Sequence, residues 1–136
     1  MEFQTKVAIV VAEDLQSWQK LNVVSFLTSG IVGQSPQIIG EIYIDKSGKE
    51  YSPLSIQPTI ILKTSREKLQ TILQRAKSKE ITVALYIEDM FATGHDSANR
   101  ETVRAYKTEN LPVVGIGIRA EKKIVDKVTR GAKLHE

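Results

Sequence analysis

Four short apolar runs, each giving way to a stretch of different period, constrain this chain more than any other feature. They occupy residues 7–11, 59–63, 81–87 and 113–118. The first is apolar at every position, the pattern of a strand covered on both faces. Beyond it Leu15, Trp18, Leu21 and Val24 recur every three residues, joined by Phe26 and Leu27, which predicts a helix over 15–29 that stops near Gly30. After the second run Leu69, Ile72, Leu73 and Ala76 repeat at helical spacing, and Arg66, Lys68, Lys77 and Lys79 form the wet side. The start of that helix reads as a capping box over Thr64-Ser65-Arg66-Glu67, with the Thr64 hydroxyl accepting from the Glu67 N–H and the Glu67 carboxylate reaching back. A weak helix is expected at 98–107, capped by Asp96 or Ser97, and a last one at 120–128, closed by Gly131. Strands separated by helices predict an α/β fold: a three-layer α/β/α sandwich around a mostly parallel or mixed sheet of about four strands.

With 136 residues, 41% of them hydrophobic, the chain suffices for one sizeable core, so residues 1–136 are read as a single domain. Gly30, Gly33, Pro36, Gly40, Gly48 and Pro53 break any long element between 30 and 57. Residues 41–44 read as a short strand and 45–50 as a turn, a hairpin-like insertion. The absence of cysteine removes disulfides, thiolate nucleophiles and thiolate ligands, and fits a reducing compartment. No charged segment precedes a long apolar stretch at the N-terminus, and residues 7–12 are too few to cross a bilayer, so a cytoplasmic protein with no membrane contact is expected. The formal charge of +3 is uneven: residues 1–99 carry 10 basic and 11 acidic side chains, residues 100–136 carry 9 and 5. That C-terminal excess suits a solvated surface better than a phosphate-binding face.

Ligands of covered sheets sit beyond the carboxyl ends of the strands. Glu13-Asp14 and Glu88-Asp89 fall at two such ends, where close carboxylates suit acid–base work and also serve as helix caps. Asp14 reads better as a cap; Asp89 is balanced between the two roles. Thr93, His95 and Asp96 supply further polar groups, Ser97 is a nucleophile only on paper, and no metal-ligand spacing is present. Gly115-x-Gly117-x-x-Ala120 matches a loose dinucleotide fingerprint, but only 16 residues follow it, too few to complete the βαβ unit. These glycines read instead as places of close backbone approach or a bulge.

The stretch Val114-Gly115-Ile116-Gly117 and the run from Ile124 to Leu134 together resemble the ending of peptidyl-tRNA hydrolase II. The first strand with Asp14-Leu15 and the strand-to-helix passage through 59–76 are similar to the same family. Asp89 and Thr93 reproduce that family's Asp and Thr four positions apart, whereas Gln19 stands where its catalytic lysine would fall and Lys20 comes one later. The Trp18-Gln19-Lys20-Leu21-Asn22 segment, residues 30–57 and the loop 90–110 look more like a bacterial family of uncharacterised proteins assigned to that fold. The resemblance implies a carboxylic ester hydrolase acting without a cofactor on an acylated RNA or a related phosphate-bearing ligand. Asp89 would orient or deprotonate a water, Thr93 hold it, and Lys20 stabilise developing negative charge, with Asp14, Trp18 and His95 binding ligand. The alternative is a non-catalytic ligand-binding or regulatory protein that retains the fold, with Trp18 either in a pocket or in the core. Implied partners are tRNA or a small phosphate-bearing ligand, and a second copy of the chain in a homodimer.

Overall fold

A computed structural model describes residues 3–136. In chain order it comprises β1 (Thr5–Ala12), α1 (Ser17–Gln34), β2 (Tyr43–Ile44), β3 (Glu50–Tyr51), β4 (Thr59–Thr64), α2 (Arg66–Ser78), β5 (Ala84–Ile87), α3 (Asp96–Arg104), β6 (Val113–Glu121), α4 (Lys122–Val128) and β7 (Lys133–Leu134). The main sheet is mixed, with order β5-β6-β1-β4-β7. β1 and β4 are parallel, while β6 is antiparallel to both β1 and β5, and β7 is antiparallel to β4. The sheet thus has five strands rather than about four, and of the two expected arrangements, mostly parallel or mixed, it is the mixed one. The chain between β5 and β6 returns to the edge it left, so α3 makes no crossover despite lying between two strands. β1, β4 and β5 still point the same way, and the loops after them gather at one edge of the sheet.

Six consecutive residues of β1, Val7 to Ala12, are buried, as the unbroken apolar run requires. On α1 the buried residues are Val23, Leu27 and Ile31, spaced by four. Leu21 is 70% exposed and Trp18 58% exposed, so the stripe read at spacing three is not the core face and Trp18 is not a core residue. The helix continues past Gly30 to Gln34, because Gly30 packs on β5: a Cβ there would meet the Ala84 Cβ at 3.0 Å. Gly115 and Gly117 of β6 are sites of close approach as expected, facing Val23, Leu27 and Ile31.

Three helix starts differ from expectation. Ser65, not Thr64, caps α2, its hydroxyl accepting from the Lys68 N–H at 3.1 Å; Thr64 is the buried last residue of β4. His95 rather than Asp96 or Ser97 caps α3, which runs from 96 to 104. β6 stays paired with β1 as far as Glu121, so α4 starts at Lys122 rather than Ala120. β5 is shorter than the apolar run 81–87. No described helix is long and apolar enough to cross a membrane.

β2 and β3 form the expected hairpin, Tyr43 opposite Tyr51, and its ladder extends through Gly40 N–H to Leu54 C=O (2.9 Å) and Ile56 N–H to Ile38 C=O (2.8 Å). Asp45 locks the turn: its carboxylate accepts from the Tyr51 hydroxyl at 2.8 Å and from the N–H groups of Ser47 and Lys49 at 2.9 and 3.0 Å. Gly48, at φ 87°, supplies the left-handed residue. The Tyr51 hydrogen bond, then that of Lys49, hold the Asp45 carboxyl below the usual aspartate range. The unfolded chain therefore binds the proton more readily, and this support is complete above about pH 4, the ordinary aspartate value, and lost as pH falls through the lower folded value. A carbon-detected NMR titration should place the Asp45 midpoint below that of a model aspartate; a midpoint at or above it would contradict the locked turn.

Candidate functional site

The edge where β1, β4 and β5 end is organised by Arg66, the first residue of α2. Its Nε lies 3.1 Å from both Asp14 carboxylate oxygens, and its Nη1 lies 2.9 Å from Glu88. Burial works against the guanidinium charge, but the Asp14 hydrogen bond and the Glu88 charge outweigh it and raise the arginine's pKa. The two acidic pairs do converge, through Asp14 and Glu88. They are tied to a cation, not poised as a carboxylate dyad, and Asp14 is an ion-pair partner, not a helix cap; Gln16 occupies the N-cap of α1. Asp89 turns elsewhere, accepting from the Tyr106 hydroxyl at 2.9 Å and thereby raising the Tyr106 pKa.

Beside this edge lies a concavity of ≈ 230 Å³ between α1, β5 and the chain leading into α3. Trp18, Asn22 and Phe26, four apart on α1, make one wall, and the 3-10 turn Glu88–Ala92 makes another. The walls are aromatic. Trp18 meets Phe91 edge-on at 6.0 Å between centroids, Tyr86 lies 5.1 Å from Phe91, and Phe26 meets Tyr86 edge-on at 5.6 Å. Such offset and edge contacts suit the ring quadrupoles and hold the cluster in place. Burial raises the Tyr86 pKa, opposed by a hydrogen bond from Asn22.

The polar groups of the concavity are Asn22, Thr93, His95, Asp96 and Asn99, and it is lined by neither Lys nor Arg. The Thr93 hydroxyl donates to the Met90 carbonyl at 3.0 Å and contacts the Asn99 amide oxygen. His95 Nδ1 accepts from the Ala98 N–H at 3.3 Å and lies 2.9 Å from the Ser97 hydroxyl. The Ala98 N–H can only donate, so its bond places the ring proton on Nε2 and makes the Ser97 hydroxyl the donor in the second contact, leaving one imidazole N–H. Asp96 is paired with Arg100, so its charge is locally compensated.

Of the residues singled out in the sequence, Trp18, Thr93, His95 and Asp96 share this concavity. Lys20 does not: two positions from both Trp18 and Asn22, it projects from another side of α1. Its ammonium donates to His135 Nε2 at 3.1 Å, in a separate cleft lined by Val11, Leu21, Val24 and Ile61. Asp14, Asp89 and Lys20 therefore each engage a different partner. The C-terminal basic residues are spread over α3, β6, α4 and β7. Asn22, Phe26, Tyr86, Phe91 and Asn99 were not anticipated from sequence; the spacing of Trp18, Asn22 and Phe26 was the one local signal of a shared wall.

A family model described as "Protein of unknown function (DUF2000)" matches residues 5–136. The solved structure of a protein of unknown function from Agrobacterium strain C58 is similar at 52% identity, covering 99% of this chain and 100% of that one, with a TM-score of 0.97. No curated protein matches this sequence significantly.

Proposed function

This chain belongs to the DUF2000 family of proteins of unknown function, and we propose that the Trp18 concavity binds a small, planar, uncharged polar molecule without transforming it. The observation that carries this reading is the lining: aromatic faces around two amides, a hydroxyl and one imidazole N–H, with no cationic side chain. Aromatic walls favour a flat ligand, and a few convergent polar groups fix its orientation. Asn22 and Asn99 can each donate and accept, a match for a carboxamide or lactam edge. A phosphate would find no cationic side chain in the lining.

The hydrolytic alternative needs Asp89, Thr93 and Lys20 to act on one bond. Asp89 is held by Tyr106, Thr93 by Asn99, and Lys20 by His135 across another cleft, which favours binding over hydrolysis of an acylated RNA. The reading also takes residues 1–136 as one three-layer α/β/α domain of the peptidyl-tRNA hydrolase II kind. Support for the layers comes from α1 packing on the face that bears Gly115 and Gly117, while α2 and α4 pack together and against the same strands.

Nicotinamide and benzoate, alike in size and differing in charge, test the idea. Nicotinamide should shift the Trp18 indole and the Asn22 and Asn99 side-chain amide resonances saturably, with affinity on the order of millimolar for so small a ligand. Benzoate should not. If both shift the same resonances equally, or neither does, the proposal fails.

A further inference from the structure

A second cleft, of ≈ 350 Å³, lies on the side of α1 away from the aromatic cluster. Its volume is that of a small-molecule site. Leu21 and Val24, three apart on α1, line it together with Val11 of β1 and Ile61 of β4. The stripe that reads as core in the sequence thus opens onto a cleft, and Leu21 is 70% exposed. One exposed leucine needs no explanation, but a half-buried ammonium among apolar walls does, because such a charge is costly unless well partnered. Lys20 donates to the neutral Nε2 of His135 at 3.1 Å and forms no ion pair with a carboxylate among the described residues. His135 is fixed in the acceptor role, since its Nδ1–H donates to the Glu136 main-chain oxygen at 2.9 Å. An ammonium has three donors, so Lys20 keeps two to offer.

We infer that this cleft binds a short-chain aliphatic monocarboxylate, at a site separate from the Trp18 concavity. The carboxylate accepts from Lys20 without displacing His135, and the alkyl chain covers Leu21, Val24, Val11 and Ile61. Such a charge-assisted bond is roughly twice as strong as a neutral one. Two further features favour an anion here. The first turn of α1 holds no acidic residue to offset the positive end of the helix dipole, and Ser17 of that turn brings a hydroxyl donor to the cleft. Glu136 alone of the lining residues is acidic, and its carboxylate is engaged by Lys63. Inorganic phosphate would satisfy Lys20 and leave the apolar walls uncovered. A neutral chain would cover the walls and leave the ammonium with an imidazole alone. Only a ligand with both parts uses the whole lining.

Hexanoate and hexylammonium, titrated against the full chain with labelled methyl groups, test the site. Hexanoate should shift the Val11, Leu21, Val24 and Ile61 methyl resonances saturably, with a Kd on the order of millimolar for so small a molecule. From butanoate to hexanoate, affinity should rise about fourfold per methylene, the equivalent of ~0.8 kcal/mol for each one buried. Lys20→Met keeps the aliphatic stem and removes the charge, and should weaken hexanoate about tenfold or more. Leu21→Ala, at an exposed position, should weaken it about fourfold or more. Far-UV circular dichroism verifies that both variants are folded. Hexanoate that leaves these methyls unmoved overturns the inference, and so does unweakened hexanoate binding by Lys20→Met. Hexylammonium that binds as well as hexanoate would show a cleft reading chain length alone, which is the same refutation. The Trp18 indole response to nicotinamide is read separately, so the two sites stand or fall independently.

Discussion

Gly115→Val should lower the unfolding free energy by about 3 kcal/mol or more, the upper range for forcing extra carbon into a packed core. A Cβ at this position would stand 2.4 Å from Val23 Cγ1 and 3.0 Å from Leu27 Cδ1. Val23 is fully buried, and its branched side chain has one strongly preferred rotamer in a helix, so it cannot swing away. Relief must come from moving α1 off the sheet. At Gly117 the tightest contact is the terminal Ile31 Cδ1 at 3.0 Å, a flexible end, and Gly117→Ala should be milder. Gly33 has nothing within 4 Å of a built Cβ, so Gly33→Ala should stabilise α1 by roughly 0.5–1 kcal/mol. Urea unfolding of the three variants should give that order with a change of sign at Gly33. A uniform response would show that backbone propensity, not the approach of α1, decides these positions.

The same contacts explain what the sequence made legible. The run at 7–11 is a strand because continuous apolar residues can be accommodated only where both faces are covered. The run at 59–63, with Thr59 and Lys63 at its ends, is only half-buried and was legible from its β-branched core, and α2 follows from a stripe at true helical spacing. On α1 the reading at spacing three failed for a geometric reason. Leu15 lies before the helix begins, and each three-residue step falls about 60° short of a full turn, so Trp18, Leu21 and Val24 spread over about a third of the helix circumference. The spacing of four at Val23, Leu27 and Ile31 was present but less conspicuous. The antiparallel placement of β6 has no local signature, since direction is set by where the chain re-enters, and the two residues of β7 are too few to form a pattern. At the candidate site, the convergence of acidic loops was readable, but its cation was not. Arg66 had been placed on the wet side of α2, whereas a position at the helix start also lets it reach both loops. The aromatic cluster was hidden because Phe26, Tyr86 and Phe91 come from a helix, a strand and a turn.

Tyr86 is where core and site meet, and its two substitutions should separate them. The residue is 2% exposed, with its ring against Phe26 and Phe91, and it lines the concavity together with Asn22. Tyr86→Ala removes the ring and leaves a void, which for a large buried aromatic costs about 3–5 kcal/mol. In a chain of this size that corresponds to a fall in Tm of roughly 10 °C or more. Tyr86→Phe keeps both aromatic contacts and removes only the hydroxyl, so its stability loss should be about 1 kcal/mol or less. Yet the concavity loses a polar group beside Asn22, and nicotinamide affinity should fall about fivefold, the equivalent of ~1 kcal/mol. A ring that merely filled space would give the opposite division, with full binding retained in Tyr86→Phe. Measuring Tm and the Trp18 indole shift on the same two proteins distinguishes the cases, because core packing and ligand orientation then depend on different atoms of one side chain.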